Sequence, residues 1–326
     1  MEAFYGEPVA ESSLLGITMR FRLVEPRDFP TCQTLLNPAL RLSRRVFERL
    51  PTLWRALALF GTFSVVEDPI KPHPDSVQGF GASVFVADQF VDEFLAARRN
   101  YLDAALYEAM LGRTSPVMSE AQVAEANAGE GLNLVVLNYG LRDHGLSNSS
   151  TQRVLQLGTT AFYTLHAGYK IKTILNEVFS DESAQYMKAG GFHLLETASF
   201  GASSEGPTPR LFALRREWVQ RGVIDPLSAL FYPSQPQIGF SPAEQRVLVH
   251  ALLNRSDAEI AEQLGLSVDG VKKTWRRIYD RVSRRLPYLI ADDRKSGGGG
   301  RSTEKRRHVL EHLRAHPEEV RPVRRM

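Results

Sequence analysis

The chain has 326 residues, 43% hydrophobic and 24% charged, ordinary proportions for a globular protein and length enough for two domains. A single cysteine, Cys32, excludes an internal disulfide framework and a multi-cysteine metal site, and no apolar run approaches the roughly 20 residues that span a bilayer. The net charge of +3 is unevenly divided, with 19 Lys+Arg against 12 Asp+Glu in residues 240–326 and 21 against 25 before them, the pattern of a polyanion-binding module joined to something else.

"ITMRFRLVE" alternates like a strand and "PRDFPTCQTLL" follows as a helix. "RLSRRVFERLPTLWRALALF" has helical spacing, with Pro51 expected to kink or break it. "TFSVVED" and "GFGASVFVADQFV" read as strands joined by the turn "PIKPHPDS". "EFLAARRNYLDAALYEAML" reads as a helix and "LNLVVLNYG" as a buried strand. A long helix over about 150–168 precedes "YKIKTILNEV", a short helix and "GGFHLLETASF", and "LFALRREWVQRG" reads as strand then helix. The fold class expected is an α/β (or α+β) N-terminal domain over 1–225 and an all-α C-terminal helix-turn-helix domain over 240–290. A linker with Pro226, Pro233 and Pro236 covers 226–239, a Gly-rich tether covers 291–302, and a basic helix and tail cover 303–326. The acidic N-terminus "MEAFYGEPVAESS" lacks the basic segment of a secretory signal, so a cytoplasmic protein without a membrane partner is expected.

Residues 240–282 carry the densest local signals. Ser241 with Glu244, and Ser256 with Glu259, form capping boxes, and Pro242 stands at a first helical position. Val247, Leu248, Ala251 and Leu252 share one face, as do Ile260, Ala261 and Leu264. Gly265 suits a helix end, Leu266 is expected to plug the core, and Ser267 caps the next helix. That helix buries Val271, Trp275, Ile278 and Val282, so Lys272, Lys273, Arg276 and Arg277 project elsewhere. "SPAEQRVL" and "SDAEIAEQLGLSVDGVKKTWRRIYDRV" resemble the LuxR-type helix-turn-helix domain of transcription regulators. The resemblance implies a sequence-specific DNA-binding transcriptional regulator that is not an enzyme and carries no cofactor. It places DNA contacts on Lys272, Lys273 and Arg276, with Thr274, Arg277 and Arg281 as further candidates. Double-stranded DNA, RNA polymerase, a second copy of the chain and an unidentified small-molecule or protein effector are the partners implied. Pro287 limits the fourth helix used for dimerisation in that family; the helix around Val309, Leu310 and Leu313 could replace it or simply pack internally.

The first domain has the features of neither a phosphoacceptor receiver nor a lactone sensor: Glu25 with Asp28 is the wrong acidic pair, and Trp54, Tyr101 and Asp103 have the wrong spacing. It resembles the GNAT acetyltransferase fold in "MRFRLVEPRDFPTCQTLL", in "LNLVVLNYG" as central strand, and in "EVFSDESAQYMKAGGF" as closing segment. The family's pyrophosphate loop would fall on "RDHGLS", where Arg142 and Gly145 fit and Ser147 does not, and its general-acid tyrosine on Met187, one residue from Tyr186. A GAF/PAS-like sensor shell is favoured over acetyl-CoA binding, with an acyltransferase fused to a DNA-binding module as the alternative. His144, His166, His193 and His250 are scattered and read as surface or satisfied core histidines.

Overall fold

The alternating stretches of the first domain pair into one mixed sheet. The structure is a computed structural model and describes residues 19–58, 62–142, 149–195, 209–219, 230–290 and 301–323. Strands β1 (Arg20–Leu23), β2 (Phe63–Glu67), β3 (Val77–Val86), β4 (Leu132–Leu141), β5 (Ile171–Val178), β6 (His193–Leu194) and β7 (Arg210–Arg215) lie in the order β1-β2-β3-β4-β5-β7-β6. Every neighbouring pair is antiparallel except β4 and β5, which run parallel. A parallel pair needs a crossover, and the 18-residue helix α6 (Ser149–His166) supplies it.

Helices on both faces explain why β2, β3 and β4 read as unbroken apolar runs. On one face lie α1 (Phe29–Thr34), α2 (Arg44–Ala58), α3 (Asp88–Ala96) and α4 (Leu102–Met110), around Phe29, Trp54, Phe63 and Phe80. On the other, α5 (Glu120–Ala128) and α6 cover Leu132, Leu134 and Ile174. The short helix α7 (Asp181–Ala189) leads to β6.

Four expectations change in this domain. Pro51 neither breaks nor ends α2, because the stripe Val46, Leu50, Leu53, Trp54 and Leu57 is buried and holds the helix through it. The stretch "ADQFV" leaves the sheet at Val86, and Asp88 opens α3 instead. The single helix expected over 93–111 is two, separated where Arg98 and Tyr101 adopt left-handed backbone (φ 48° and 64°). After β7, "REW" makes only a 3-10 turn.

The C-terminal region is helical: α8 (Pro242–Leu252), α9 (Asp257–Leu264), α10 (Val268–Arg285) and α11 (Arg301–Ala315). Ser241 with Glu244 and Ser256 with Glu259 close both capping boxes, Gly265 ends α9 at φ 63°, and Ser267 caps α10. Val247, Leu248, Ile260, Val271, Trp275, Ile278 and Val282 form one core. Leu266 does not plug it but stands 46% exposed: the Ser267 cap turns the chain outward there. Val309 and Leu313 of α11 pack into this core, so that stripe serves internal packing rather than a second copy. The expected tether falls mostly on residues outside those described, and its last two positions belong to α11.

The expected linker splits between the two cores, with Leu230 and Phe231 buried against the sheet domain and Ile238 and Phe240 against the helices. The chain after α11 joins them. Glu319 accepts main-chain N–H groups of Gln237 (2.7 Å) and Ile238 (3.0 Å), while Arg321 donates to the carbonyls of Thr164 and Ala167 at the end of α6. Among the described residues no helix is long and apolar enough to cross a membrane.

Candidate active site

The sheet opens in its middle. β4 and β5 pair from Leu132↔Ile171 to Val136↔Asn176 and then part. Beyond that point β4 continues against β3 as far as Leu141↔Gly79, and β5 continues against β7 as far as Val178↔Arg210. A bulge starts the divergence: Ala82 faces Asn138 while Ser83 faces Val136, leaving Leu137 extra in β4. Alternate main-chain groups of a strand point to opposite edges, so half of those in residues 137–141 face the opening.

Where the strands part, the α4 side of the sheet carries two buried carboxyls. Glu177, just past the last β4–β5 pair, accepts the N–H groups of Tyr101 (2.7 Å) and Leu102 (3.0 Å) at the start of α4. Asp103 in the same turn accepts from the Asn138 amide at 3.2 Å, and its other oxygen has no partner among the described residues. Tyr107 donates to the Asn138 amide oxygen and accepts from Trp54 Nε1 at 2.8 Å. Burial pushes Glu177 up to about 7 despite its two N–H donors. Burial, and then the Glu177 charge, hold Asp103 well above the ordinary carboxylate range. A carboxyl poised near neutrality beside one held neutral is the arrangement from which proton-transfer sites are built.

On the α6 side, Tyr139 of β4 lies against the bare Gly158 of α6, where a Cβ would stand 2.9 Å from its hydroxyl. Tyr186 is 49% exposed on α7 and its hydroxyl meets Thr159 Oγ1 at 3.0 Å. Met187 lies against the Asn176 amide, at the last β4–β5 pair. Of the two family positions weighed in the sequence, Met187 therefore sits where the strands part and Tyr186 lies beside it with its hydroxyl on α6.

The remaining candidates are occupied elsewhere. Arg142 is committed to the carbonyls of Pro74 and Val77 (both 2.8 Å) and to Asp75, while Gly145, Ser147 and His144 lie outside the described residues. His166 donates Nδ1–H to Phe162 O and accepts at Nε2 from Ser83, both at 2.7 Å; burial lowers it to about 4 and keeps it neutral. It is a satisfied core histidine beside a cavity of about 50 Å³. His193 stacks on Trp218 at 4.3 Å. Among the described residues no cluster of three His, Cys, Asp or Glu could hold a metal ion.

The cations expected to read DNA stand on α10, apart from the opening. Lys272, Arg276 and Arg277 are exposed. Lys273 pairs with Asp269 at 2.9 Å, Thr274 bonds back to Gly270 O at 3.0 Å, and Arg281 pairs with the buried Glu244 at 2.9 Å. Arg281 thus fastens α10 to α8.

No protein-family profile matches the sequence and no curated protein matches it. Solved structures give likenesses over the first domain. The NAA60 protein of Arabidopsis thaliana in complex with acetyl-CoA shares 13% identity over 61% of this chain and 98% of that one, at a TM-score of 0.37. FeeM, an N-acyl amino acid synthase from uncultured soil microbes, shares 12% over 62% and 93%, at 0.34. An agmatine N-acetyltransferase shares 16% over 60% and 99%, at 0.31. These neighbours stand against the expectation of a sequence-specific DNA-binding transcriptional regulator that is not an enzyme, and against the sensor role of the first domain; their likeness covers about 60% of the chain and does not bear on the LuxR-type resemblance of the C-terminal helices. The first domain is a mixed α/β sheet in which the stretches that carried the GNAT resemblance take these places: "MRFRLVEPRDFPTCQTLL" forms β1 and α1, "LNLVVLNYG" is the central β4, and "EVFSDESAQYMKAGGF" spans the end of β5, α7 and the turn into β6.

Sequence reading missed Glu177, Asn138 and the role of Asp103. Each is a polar residue inside an apolar run, "NLVVLNYG", "TILNEV" or "YLDAALY", and a polar residue flanked by buried neighbours is the signal that could have found them.

Proposed function

We propose that the chain is an acyltransferase of GNAT-like fold whose donor is an acyl-CoA. The observation that carries the reading is the parting of β4 from β5 directly over the Asp103–Glu177 pair. Bound there, an acyl-CoA supplies a thioester whose acyl group passes to an acceptor nucleophile. The free edge of β4, residues 137–141, suits the amide-bearing arm of such a donor, whose N–H and C=O groups replace the strand partner that β5 no longer provides. The start of α6 suits its anionic end. Glu177 takes the proton that the acceptor loses as its bond to the acyl carbon forms, and Tyr186 gives a proton to the sulfur as the carbon–sulfur bond breaks. Since Met187 has no proton to give, the acid is assigned to the neighbouring Tyr186, and anion binding to main-chain groups. The domain assignment that follows has acyl transfer in the sheet domain and the four C-terminal helices as a separate unit.

Titration with acetyl-CoA in a thermal-unfolding assay tests binding: at 100 times Kd, stabilisation of about 2.7 kcal/mol is expected. Thiol release in the presence of a panel of amines tests turnover, and Glu177→Gln should lower it by roughly 10²-fold or more while binding persists. No stabilisation and no thiol release would falsify the reading.

A further inference from the structure

The first turn of α4 holds a carboxyl oxygen with nothing to bond. Asp103 is 3% exposed; its Oδ2 accepts from Asn138 Nδ2, and its Oδ1 has no partner among the described residues. The direction of the Asn138 amide is fixed from the other side. Trp54 Nε1 donates to the Tyr107 hydroxyl, whose own hydrogen then goes to Asn138 Oδ1. Asn138 can therefore offer Asp103 only N–H, and Asp103 must accept on Oδ2.

Oδ1 is then either a bare anion or the atom that carries the acid proton. An anion would lie in an apolar setting beside Glu177, with no cation among the groups that act on either carboxyl, and two uncompensated buried charges are far costlier than a neutral acid. Asp103 therefore keeps its proton, on Oδ1. A buried O–H without an acceptor costs about 1–3 kcal/mol, and this one sits beside Asn138, two β4 residues beyond the last β4–β5 pair. An acceptor arriving there would satisfy it.

Resting on the acyltransferase reading, we propose that the Oδ1–H of Asp103 donates to the carbonyl oxygen of the bound acyl group and steadies the negative charge that builds on that oxygen during transfer. The donor is held in place before the reaction by the Trp54–Tyr107–Asn138 chain, so no reorganisation is needed when the charge develops. Glu177 and Asp103 then divide the work, one accepting a proton and the other lending a hydrogen bond without giving its proton up.

Infrared spectroscopy tests this on the full chain. Without ligand at pH 7, the difference spectrum between wild type and Asp103→Asn should show the carbonyl band of a protonated carboxylic acid; its absence overturns the inference whatever the activity. With acetyl-CoA labelled with ¹³C at the acyl carbonyl, that stretch should move to lower frequency on binding wild type. In Asp103→Leu the movement should vanish while thermal stabilisation by acetyl-CoA persists, and kcat should fall about 10²–10³-fold with KM little changed. Asp103→Asn, which keeps an N–H donor, should recover part of the shift, and it remains informative if the leucine variant does not fold. An unshifted wild-type carbonyl in a saturated complex refutes the role of Asp103 alone. Failure of wild type to bind acetyl-CoA removes the acyltransferase reading, and the inference with it.

Discussion

Arg321 lies with its guanidinium 4.8 Å over the ring of Tyr169 and donates to Ala167 O (2.8 Å) and Thr164 O (2.9 Å), carbonyls that α6 leaves unsatisfied at its end. A residue beyond the last helix thus caps the crossover helix of the sheet domain, while Gln245 of α8 donates to its carbonyl at 2.7 Å. Arg321→Ala removes two part-buried hydrogen bonds, at about 1 kcal/mol each, together with the packing of the guanidinium on Tyr169. A loss of roughly 3 kcal/mol in urea unfolding is expected, with the sheet and helical units melting in separate calorimetric transitions. A single unshifted transition would show that this contact does not couple them.

Arg281 and Glu244 yield the second expectation. Glu244 closes its capping box onto Ser241 N at 2.7 Å and receives Arg281 at 2.9 Å, within a setting where it is 4% exposed. Removing one partner of such a pair strands the other, at about 3–5 kcal/mol. Glu244→Ala should therefore cost at least 3 kcal/mol, whereas Lys273→Ala, which breaks only the exposed pair with Asp269, should stay within about 0.5 kcal/mol. Equal effects in a denaturant series would contradict the difference drawn between the two ion pairs.

The same region shows what the sequence could and could not convey. Caps, turns and apolar stripes act over three to seven residues, so Ser241, Ser256, Gly265 and the Trp275 stripe were all readable. That Arg281 turns back onto a residue 37 positions earlier was not, because a helical wheel tells which face is polar and not what covers it. The opening in the sheet was hidden for a related reason. Strand pairing is non-local, and neither the bulge at Leu137 nor the point at which β5 loses β4 while keeping β7 on its other edge leaves a local mark. Tyr101, a residue without glycine's freedom at positive φ, broke what periodicity alone made one helix.

Glu177 makes stability depend on pH in an unusual direction. Its carboxyl titrates near 4.5 when unfolded and about 7 when folded, so between those values the native state holds the extra proton. Its contribution is complete below pH 4.5 and is lost as pH rises through 7, a change of about 3 kcal/mol. Gln cannot ionise. The stability of Glu177→Gln relative to wild type should therefore improve by about that amount between pH 4.5 and pH 8, measured by urea midpoints. Parallel pH curves would mean that the carboxyl is not held up by burial.

His166 slopes the other way over nearly the same window. Burial lowers it from 6.5 to about 4, so the unfolded chain binds the extra proton between those values. The stability tied to the neutral ring is complete above pH 6.5 and is lost as pH falls to 4, again about 3 kcal/mol. In wild type these trends oppose each other, the buried Asp103 adding to the Glu177 slope and His250, also lowered to about 4 by burial, adding to that of His166. His166→Gln should remove that ring's share, so that the stability lost between pH 6.5 and pH 4 is about 3 kcal/mol smaller than in wild type. A variant that loses as much as wild type would assign the acid sensitivity to another group.

Gly158 separates folding from function most sharply. An alanine Cβ there would stand 2.9 Å from the Tyr139 hydroxyl and 3.0 Å from its ring, closer than packed atoms allow. The ring can yield because Tyr139 is 41% exposed, and a mid-helix Gly→Ala change recovers about 1 kcal/mol of backbone entropy. Stability of Gly158→Ala should therefore stay within about 1 kcal/mol of wild type. The displaced ring, however, must swing toward the free edge of β4 or toward Tyr186, both on the proposed acyl-donor path. Affinity for acetyl-CoA should fall by roughly tenfold, the size expected for about 1.4 kcal/mol of lost contact. Titration calorimetry checks the affinity and thermal unfolding the fold; intact binding in a well-folded variant would move the donor arm away from this side of the sheet.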